Sequence, residues 1–471
     1  MNILELLGVG DKAAIIQGGG RISFSDLMGC GLRFGGRLRR AGIEPGGHVL
    51  VFVPLSIELY IAMIGAWSIG AVPVFVDYSR GSKFIGDNID RLKPGVIVCD
   101  DMTRFIYLAY PKMRRIKMLR IKHEQGAGKQ AGAGTLELFE AGKDHPAILT
   151  CTSGTTGLPK IAVRSHGFLV NQYDVLRNHM DYSPEHIDLG TLPVFTLASL
   201  AAGMTTLLPY KGDRTRINAR RLAAKMLREG TTRAVCSPAL MEKLLKHSQL
   251  PCLKAAYLGG GPVYPGLLGK IRQDVDLHIV YGSTEAEPIS SIRWADVSAA
   301  DREAIANGAG LLVGNPAKEV KCRIADDSEI QVSGETVLKG YLDGMGDSEN
   351  KIRDGEIVWH RTGDAGRFDG QGRLWLLGRV SQAVNDAAGL LYPFCVECVL
   401  DARFGIRGAI LSCGGERVVV IEKGAADADD VLRGLKPYHI ARVVEVKRLP
   451  MDKRHGAKIE YERLRRAVFG R

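Results

Sequence analysis

Between Leu149 and Val163 the chain reads LTCTSGTTGLPKIAV, a run with five hydroxyl side chains, two glycines and a single lysine. Ser153, Thr155 and Thr156 can each donate a hydroxyl proton. Gly154 and Gly157 permit backbone angles that bring amide donors close to a ligand, and Lys160 supplies a point charge suited to phosphate oxygens. The combination points to a polyphosphate; a plain Gly/Ser turn has no need of so many donors. A Walker loop would require G-x-x-x-x-G-K-[ST] with a helix directly after the lysine. Here Pro159 precedes Lys160 and Ile-Ala-Val follows it, a β-favouring run. The expectation is a strand–loop–strand phosphate cradle.

The elements around it alternate. Phe24 to Ala41 has helical periodicity, Val49 to Val53 reads as a strand, Ile57 to Ile69 as a buried helix and Pro73 to Val76 as a strand. Further strands are expected at Val96–Cys99, Arg233–Cys236, Ala255–Leu258 and His278–Tyr281. Alternation of this kind argues for a parallel α/β sheet covered by helices. Beyond Gly314 the texture changes to short strands and turns: VKCRI, EIQVS, ETVLKGY, EIVWHRTGD and RLWLLGR. These suggest an antiparallel, barrel-like β subdomain. After Arg379 a compact α+β pattern begins, with strands at Gly408–Leu411 and Val418–Ile421 and helices at Ala428–Leu435 and Ile459–Val468. The expected organisation is therefore a large N-terminal region of α/β subdomains plus the small barrel-like part, residues 1–378, then a small mobile α+β C-terminal domain, residues 379–471. The hinge is placed near Gly378–Ser381.

Four more motifs follow the opening one: LGGGPV (Leu258–Val263), YGSTE (Tyr281–Glu285), RTGDAGRFDGQGRLWLLGR (Arg361–Arg379) and PMDKRHGAKI (Pro450–Ile459). In type and order the five resemble those of the adenylate-forming superfamily of acyl-CoA synthetases, peptide-synthetase adenylation domains and luciferases. The resemblance covers nearly the whole chain. It implies an ATP-dependent ligase in which Thr152, Ser153, Gly154, Thr155, Thr156, Gly157 and Lys160 hold phosphates. It further implies that Gly259, Gly260, Gly261 and Pro262 pack on adenine, and that Tyr281, in Tyr281-Gly282-Ser283-Thr284, stacks on it. Glu285, with Thr156, would hold Mg²⁺, Asp364 would bind the ribose, Arg379 would sit at the hinge, and Lys458 would be the catalytic lysine.

The residue chemistry agrees. Glu285 is a hard oxygen ligand of the kind Mg²⁺ takes alongside phosphates and water, where otherwise it would be a surface carboxylate. Asp364 can accept ribose hydroxyls, as carboxylates do in other nucleotide sites, where otherwise it would be a turn aspartate. Lys458, beside Arg454, His455 and Gly456, can stabilise charge developing between a carboxylate and the α-phosphate, where otherwise it would be a solvated lysine.

The second half-reaction is read from departures. Ser381 in GRVSQ stands where relatives often carry aspartate or lysine, Ala388 stands where thioester-forming relatives have glycine, and Thr196 follows Phe195 where a histidine is common. These departures weigh against transfer to CoA. The G-R-x-S-Q hinge and R-H-x-A-K-I loop are similar to the β-lactone synthetase branch of bacterial olefin biosynthesis, in which the substrate's own 3-hydroxyl attacks its adenylate. A fatty acyl-CoA ligase is the alternative, and a non-catalytic nucleotide-binding scaffold is a third reading, opposed by the intact Lys160, Glu285, Asp364 and Lys458. His166, Phe195 and Thr196 are candidates for the substrate pocket, and His166 and His455 are candidates to take the hydroxyl proton.

Composition bounds the rest. The 471 residues are 45% hydrophobic and 24% charged, with 57 glycines and a formal charge of +11. Such a length predicts more than one folding unit. Part of the positive charge is clustered, as at Lys112, Arg114, Arg115, Lys117, Arg120 and Lys122 and in Arg463–Arg471. These clusters read first as a solvated basic face and second as a peripheral membrane contact. No RNA-binding or zinc-finger spacing accompanies them, so nucleic acid is not an expected partner; a small carboxylic acid is. Nine scattered cysteines and a start without a basic, apolar leader fit a reducing cytoplasm. The lone Cys395-x-x-Cys398 pair lies in a helical pattern and does not predict a zinc site.

Overall fold

The computed structural model describes residues 2–77, 80–123, 138–152, 160–211, 217–452 and 458–470. The chain divides into two compact units, Met1–Val235 with Leu338–Lys351, and Cys236–Val337 with Ile352–Arg471. No helix among the described residues is long and apolar enough to cross a membrane.

The first unit is built on parallel strands, as the alternation of patterns required. One sheet runs Lys117–Arg120, Val96–Cys99, His48–Phe52, Val72–Phe75, Pro146–Thr152, Lys160–Ser165; only the last pairing is antiparallel. The strand Lys160–Ser165, with Lys160 opposite Thr152, is the arrangement expected from Ile-Ala-Val and excludes a Walker-type helix directly after the lysine. A second set, Arg233–Cys236, Ile187–Gly190, Thr205–Leu207 and Ala13–Gln17, is likewise parallel.

Helix Phe24–Arg40 begins at Ser23, whose hydroxyl accepts the Asp26 amide, and buries a face of Phe24, Leu27, Phe34 and Leu38. Helix Ile57–Ser68 is buried on every side, which accounts for its lack of polar periodicity. Its one charge, Glu58, is buried and paired with Lys211 Nζ at 2.5 Å. These two helices meet through glycines. A Cβ added at Gly35 would lie 2.2 Å from Ser68 Oγ and 2.8 Å from the Gly65 carbonyl oxygen. Alanine is favoured over glycine in a helix by about 1 kcal/mol, but overpacking costs about 1–3 kcal/mol. The serine hydroxyl can rotate away, whereas the Gly65 carbonyl can retreat only if the whole helix shifts. Gly35→Ala is therefore expected to lower the urea midpoint of unfolding, and an unchanged or higher midpoint would show that the helices separate freely.

The second unit carries a long run of strands in the order Val320–Ile324, Glu329–Gly334, Ile357–Phe368, Leu374–Arg379, Leu311–Pro316, Ala286–Arg293, Asp276–Ser283, Ala255–Leu258. The pairing of the last two is parallel, and the others with a resolved register are antiparallel. The expected antiparallel strands beyond Gly314 thus continue directly from the parallel ones. One of them is absent: ETVLKGY forms a turn with single bridges at Val337 and Tyr341. The chain passes from the second unit to the first between Val337 and Leu338, so this segment has no continuous strand beside it.

Residues beyond 379 form a three-stranded sheet, Gly408–Cys413, Glu416–Glu422 and Ile440–Val446, with helices Pro393–Phe404, Ala428–Gly434 and Tyr461–Phe469. Two apolar clusters are drawn wholly from residues 384–469. Glu397, on the first of these helices, is buried and accepts hydrogen bonds from the hydroxyls of Tyr264 and, at 2.7 Å, Tyr461. Burial pushes its carboxyl above the ordinary value.

Candidate active site

The centre of the site is Asp364. It lies on strand Ile357–Phe368, directly opposite Arg379 on Leu374–Arg379. Its Oδ1 is 3.1 Å from Arg379 Nε, and its Oδ2 accepts the Tyr281 hydroxyl at 2.9 Å. Arg379 Nη1 also donates to the Thr362 carbonyl at 2.8 Å. The Thr362 hydroxyl accepts the Asp364 amide at 3.1 Å and donates to the Ile330 carbonyl at 2.8 Å. Gly363 between them has φ +71°, and a Cβ there would sit 3.0 Å from Arg379 Nη1. Glycine in RTGD thus meets both a left-handed backbone and the close guanidinium. Glu329, buried, accepts the Gly363 amide at 2.9 Å and Arg361 Nε at 2.5 Å, which ties this part of the strand to its neighbour.

Tyr281 is 8% exposed on strand Asp276–Ser283. Burial first, then the Asp364 charge, push its phenol well above the usual range, so it stays a donor. The strand ends at Ser283 and the next begins at Ala286, its cross-strand partner, so Thr284 and Glu285 form the tip of a two-residue hairpin. The Ser283 hydroxyl accepts the Glu285 amide at 3.2 Å. Glu285 is half-buried, and its charge helps raise the Arg379 guanidinium above its ordinary value, after the larger effect of Asp364. Gly282 is also crowded, with a Cβ position 3.0 Å from the Ala286 carbonyl oxygen. The loop Gly259–Pro262 follows strand Ala255–Leu258, and a Cβ at Gly259 would come within 2.7 Å of the Val280 carbonyl oxygen. Three separate motifs therefore converge: the glycine loop packs against the residue before Tyr281, and Tyr281 and Arg379 hold Asp364. Its carboxylate keeps lone pairs for further donors.

Lys458 is exposed, and residues 453–457 before it lie outside the described residues. Its backbone is anchored on Asp452: the Lys458 amide donates to Asp452 Oδ1 and its carbonyl accepts the Asp452 amide, both at 2.8 Å. Met451 bridges Ile459 one step further out. In the first unit, Lys160 opens its strand 8% exposed. A Cβ at Gly346, where φ is +96°, would lie 2.9 Å from Lys160 Cγ, and Lys160 Nζ sits 5.7 Å from the centroid of the Tyr341 ring. Asp452, Glu329, Tyr341 and Gly346 were not singled out from sequence. The only available cue was the turn-rich run around Tyr341.

Thr152 ends strand Pro146–Thr152, whereas Ser153, Gly154, Thr155, Thr156 and Gly157 lie outside the described residues, as does His455. The three pocket candidates sit within the packing of the first unit. His166 is fully buried; its Nδ1 accepts the Ile3 amide at 3.3 Å, and its ring lies edge-on to Trp67. Burial, reinforced by His145, pushes its pKa down to about 4, which suits a neutral core imidazole with one nitrogen already taken. Phe195 and Thr196 are buried on helix Pro193–Ala201, and a Cβ at Gly190 would be 2.3 Å from Thr196 Oγ1, so the helix rests directly on the strand Ile187–Gly190. One turn on, Ser199 donates to Asp188, which forms a fully buried pair with Arg233 at 2.7 Å.

The AMP-binding enzyme model matches residues 7–342, and the chain belongs to that family: it is an ATP-using, AMP-forming, adenylate-forming ligase, and enzymes of this kind act on small carboxylic acids. It is similar to the olefin β-lactone synthetase of Xanthomonas campestris pv. campestris, with 32% identity over 90% of this chain and 86% of that protein. It is also similar to the olefin β-lactone synthetase of Stenotrophomonas maltophilia, with 31% identity over 93% and 89%. Among solved structures, the amide bond synthetase McbA from Marinactinospora thermotolerans superimposes with a TM-score of 0.82 at 21% identity, covering 98% of this chain and 97% of that one.

Proposed function

We propose that this enzyme activates a 2-alkyl-3-hydroxy fatty acid as its adenylate and then closes it to a β-lactone without CoA. The observation that carries this reading is the similarity to two olefin β-lactone synthetases over 90% and 93% of the chain. The GRVSQ hinge and the RHGAKI loop add to it.

In the first step the substrate carboxylate oxygen attacks the α-phosphorus and pyrophosphate leaves. Asp364 accepts the ribose hydroxyls, and Tyr281 and Arg379 hold its carboxylate for that purpose. Lys160 binds phosphate oxygens, and Lys458 stabilises the charge on the reacting oxygens. No group of three or more His, Cys, Asp or Glu side chains among the described residues could form an all-protein metal cage. A hard carboxylate at a hairpin tip suits Mg²⁺, which keeps waters and phosphate oxygens as its other ligands, and Glu285 is the residue to hold it. Bound there, the ion would neutralise phosphate charge. The C-terminal residues 379–471, with apolar clusters of their own, act in this reading as a mobile domain that brings Lys458 to the adenylate.

In the second step the 3-hydroxyl oxygen bonds to the activated carbonyl carbon, AMP departs, and the hydroxyl proton is released. An attached hydroxyl meets the carbonyl at high effective molarity. The test is mass spectrometry of the products from ATP, Mg²⁺ and a 2-alkyl-3-hydroxy acid. A product lighter than the acid by one water, formed without CoA, is expected. A thioester as the sole product, formed only with CoA, would replace this reading by an acyl-CoA ligase.

A further inference from the structure

We propose that the first unit carries a docking surface for an anionic lipid membrane, formed by helix Arg104–Ala109 and the edge strand Lys117–Arg120. Between 101 and 123 the sequence holds seven Lys and Arg residues against one acidic residue, Asp101. Asp101 is already paired with Arg120 at 2.5 Å, and Lys112 is paired with Asp90. Arg114, Arg115 and Lys117 are exposed and pair with no carboxylate among the described residues. Beside this charge stands apolar surface that the fold leaves uncovered. Phe105 is 69% and Leu108 50% exposed, and their spacing puts them on one face of the short helix. Met102, just before it, is 36% exposed.

The two parts are tied together. The Tyr107 hydroxyl donates to the Ile116 carbonyl at 3.0 Å, and fully buried Met113 plugs the turn between helix and strand. The strand Lys117–Arg120 is the outermost of its sheet, and its Lys117 and Arg120 side chains are exposed. The Arg104 guanidinium lies 6.0 Å from the centre of the Phe105 ring, at the boundary between apolar and charged surface.

Exposed aromatic and aliphatic side chains on the same short segment as exposed arginine and lysine match a lipid interface: the apolar groups enter the acyl boundary while the cations meet the headgroups. A nucleic-acid backbone would use the cations but give Leu108 nothing to pack against. The surface is independent of the lactone reading, because its residues take no part in the nucleotide site. It would deliver an aliphatic acid from the membrane whichever acceptor follows.

The full chain should co-sediment with vesicles containing phosphatidylglycerol and not with pure phosphatidylcholine vesicles, and added salt should weaken the binding. The triple variant R114E/R115E/K117E should lower the partition coefficient on the order of a hundredfold, from about 1 kcal/mol per basic residue. F105S/L108S should also weaken binding, and since both side chains are exposed it should keep the parent's melting temperature. No partition of the parent, equal partition onto neutral vesicles, or parent-like binding by the triple variant would overturn the proposal. So would retention on duplex DNA that only the charge variant loses, in the absence of vesicle binding; the patch would then be a nucleic-acid contact.

Discussion

Lys458→Ala is expected to slow acyl-adenylate formation by about two to three orders of magnitude, the scale found when one preorganised group at a transition-state oxyanion is removed, while ATP affinity changes little. In the mechanism proposed above, the charge that Lys458 would meet grows as the carboxylate oxygen bonds to phosphorus, so its contribution would appear in the rate and not in ground-state binding. The side chain is exposed, and both hydrogen bonds to Asp452 use the Lys458 backbone, which alanine keeps. Single-turnover release of pyrophosphate, beside a binding titration with ATP, separates the two effects. A rate equal to the parent's would remove Lys458 from the mechanism. A loss confined to ATP affinity would make it a phosphate ligand.

Much of this site was legible because its residues sit in short runs whose local geometry follows from their types. The strand expected at His278–Tyr281 lies within Asp276–Ser283, and the hairpin tip after it falls on Thr284 and Glu285. Ile-Ala-Val after Lys160 forced a strand, and a strand is there. The convergence was less visible. Tyr281 and Asp364 are far apart in sequence, and only the pairing of Ile357–Phe368 with Leu374–Arg379 sets Arg379 opposite Asp364. Motif order suggested that they meet, but not that the tyrosine hydroxyl and the guanidinium take different oxygens of one carboxylate.

Other features had no sequence cue at all. ETVLKGY has strand-like residues, yet strand formation needs a continuous neighbour, and this segment has only isolated bridges. Glu397 sits in an ordinary helical pattern, and nothing local announces that Tyr264 and Tyr461 will close over it. Thr196 is a pocket candidate because it stands where relatives often carry a histidine, and His166 because it follows the opening motif; their burial is decided by distant partners such as Gly190 and Ile3.

Asp364→Asn is expected to weaken ATP and AMP binding by about two orders of magnitude, because hydrogen bonds to a charged acceptor contribute about 1.5–3 kcal/mol each and a ribose offers two hydroxyls. Asparagine is nearly isosteric and can still accept the Tyr281 hydroxyl, so the pocket keeps its shape. What is lost is the charge, with one oxygen converted to a donor that faces Arg379. The accompanying fall in stability should be small, since the Asp364 and Arg379 side chains are 20% and 42% exposed and such pairs contribute about 0–1 kcal/mol. Loss of affinity with little loss of melting temperature is therefore the expected outcome. Calorimetric titration with ATP and with 2′,3′-dideoxy-ATP assigns the loss to the sugar. The parent should bind the dideoxy analogue far more weakly than ATP, and the variant should hardly distinguish them. If Asp364→Asn discriminated between the two as strongly as the parent, the ribose would be held elsewhere, and the carboxylate between Tyr281 and Arg379 would serve only to join two strands.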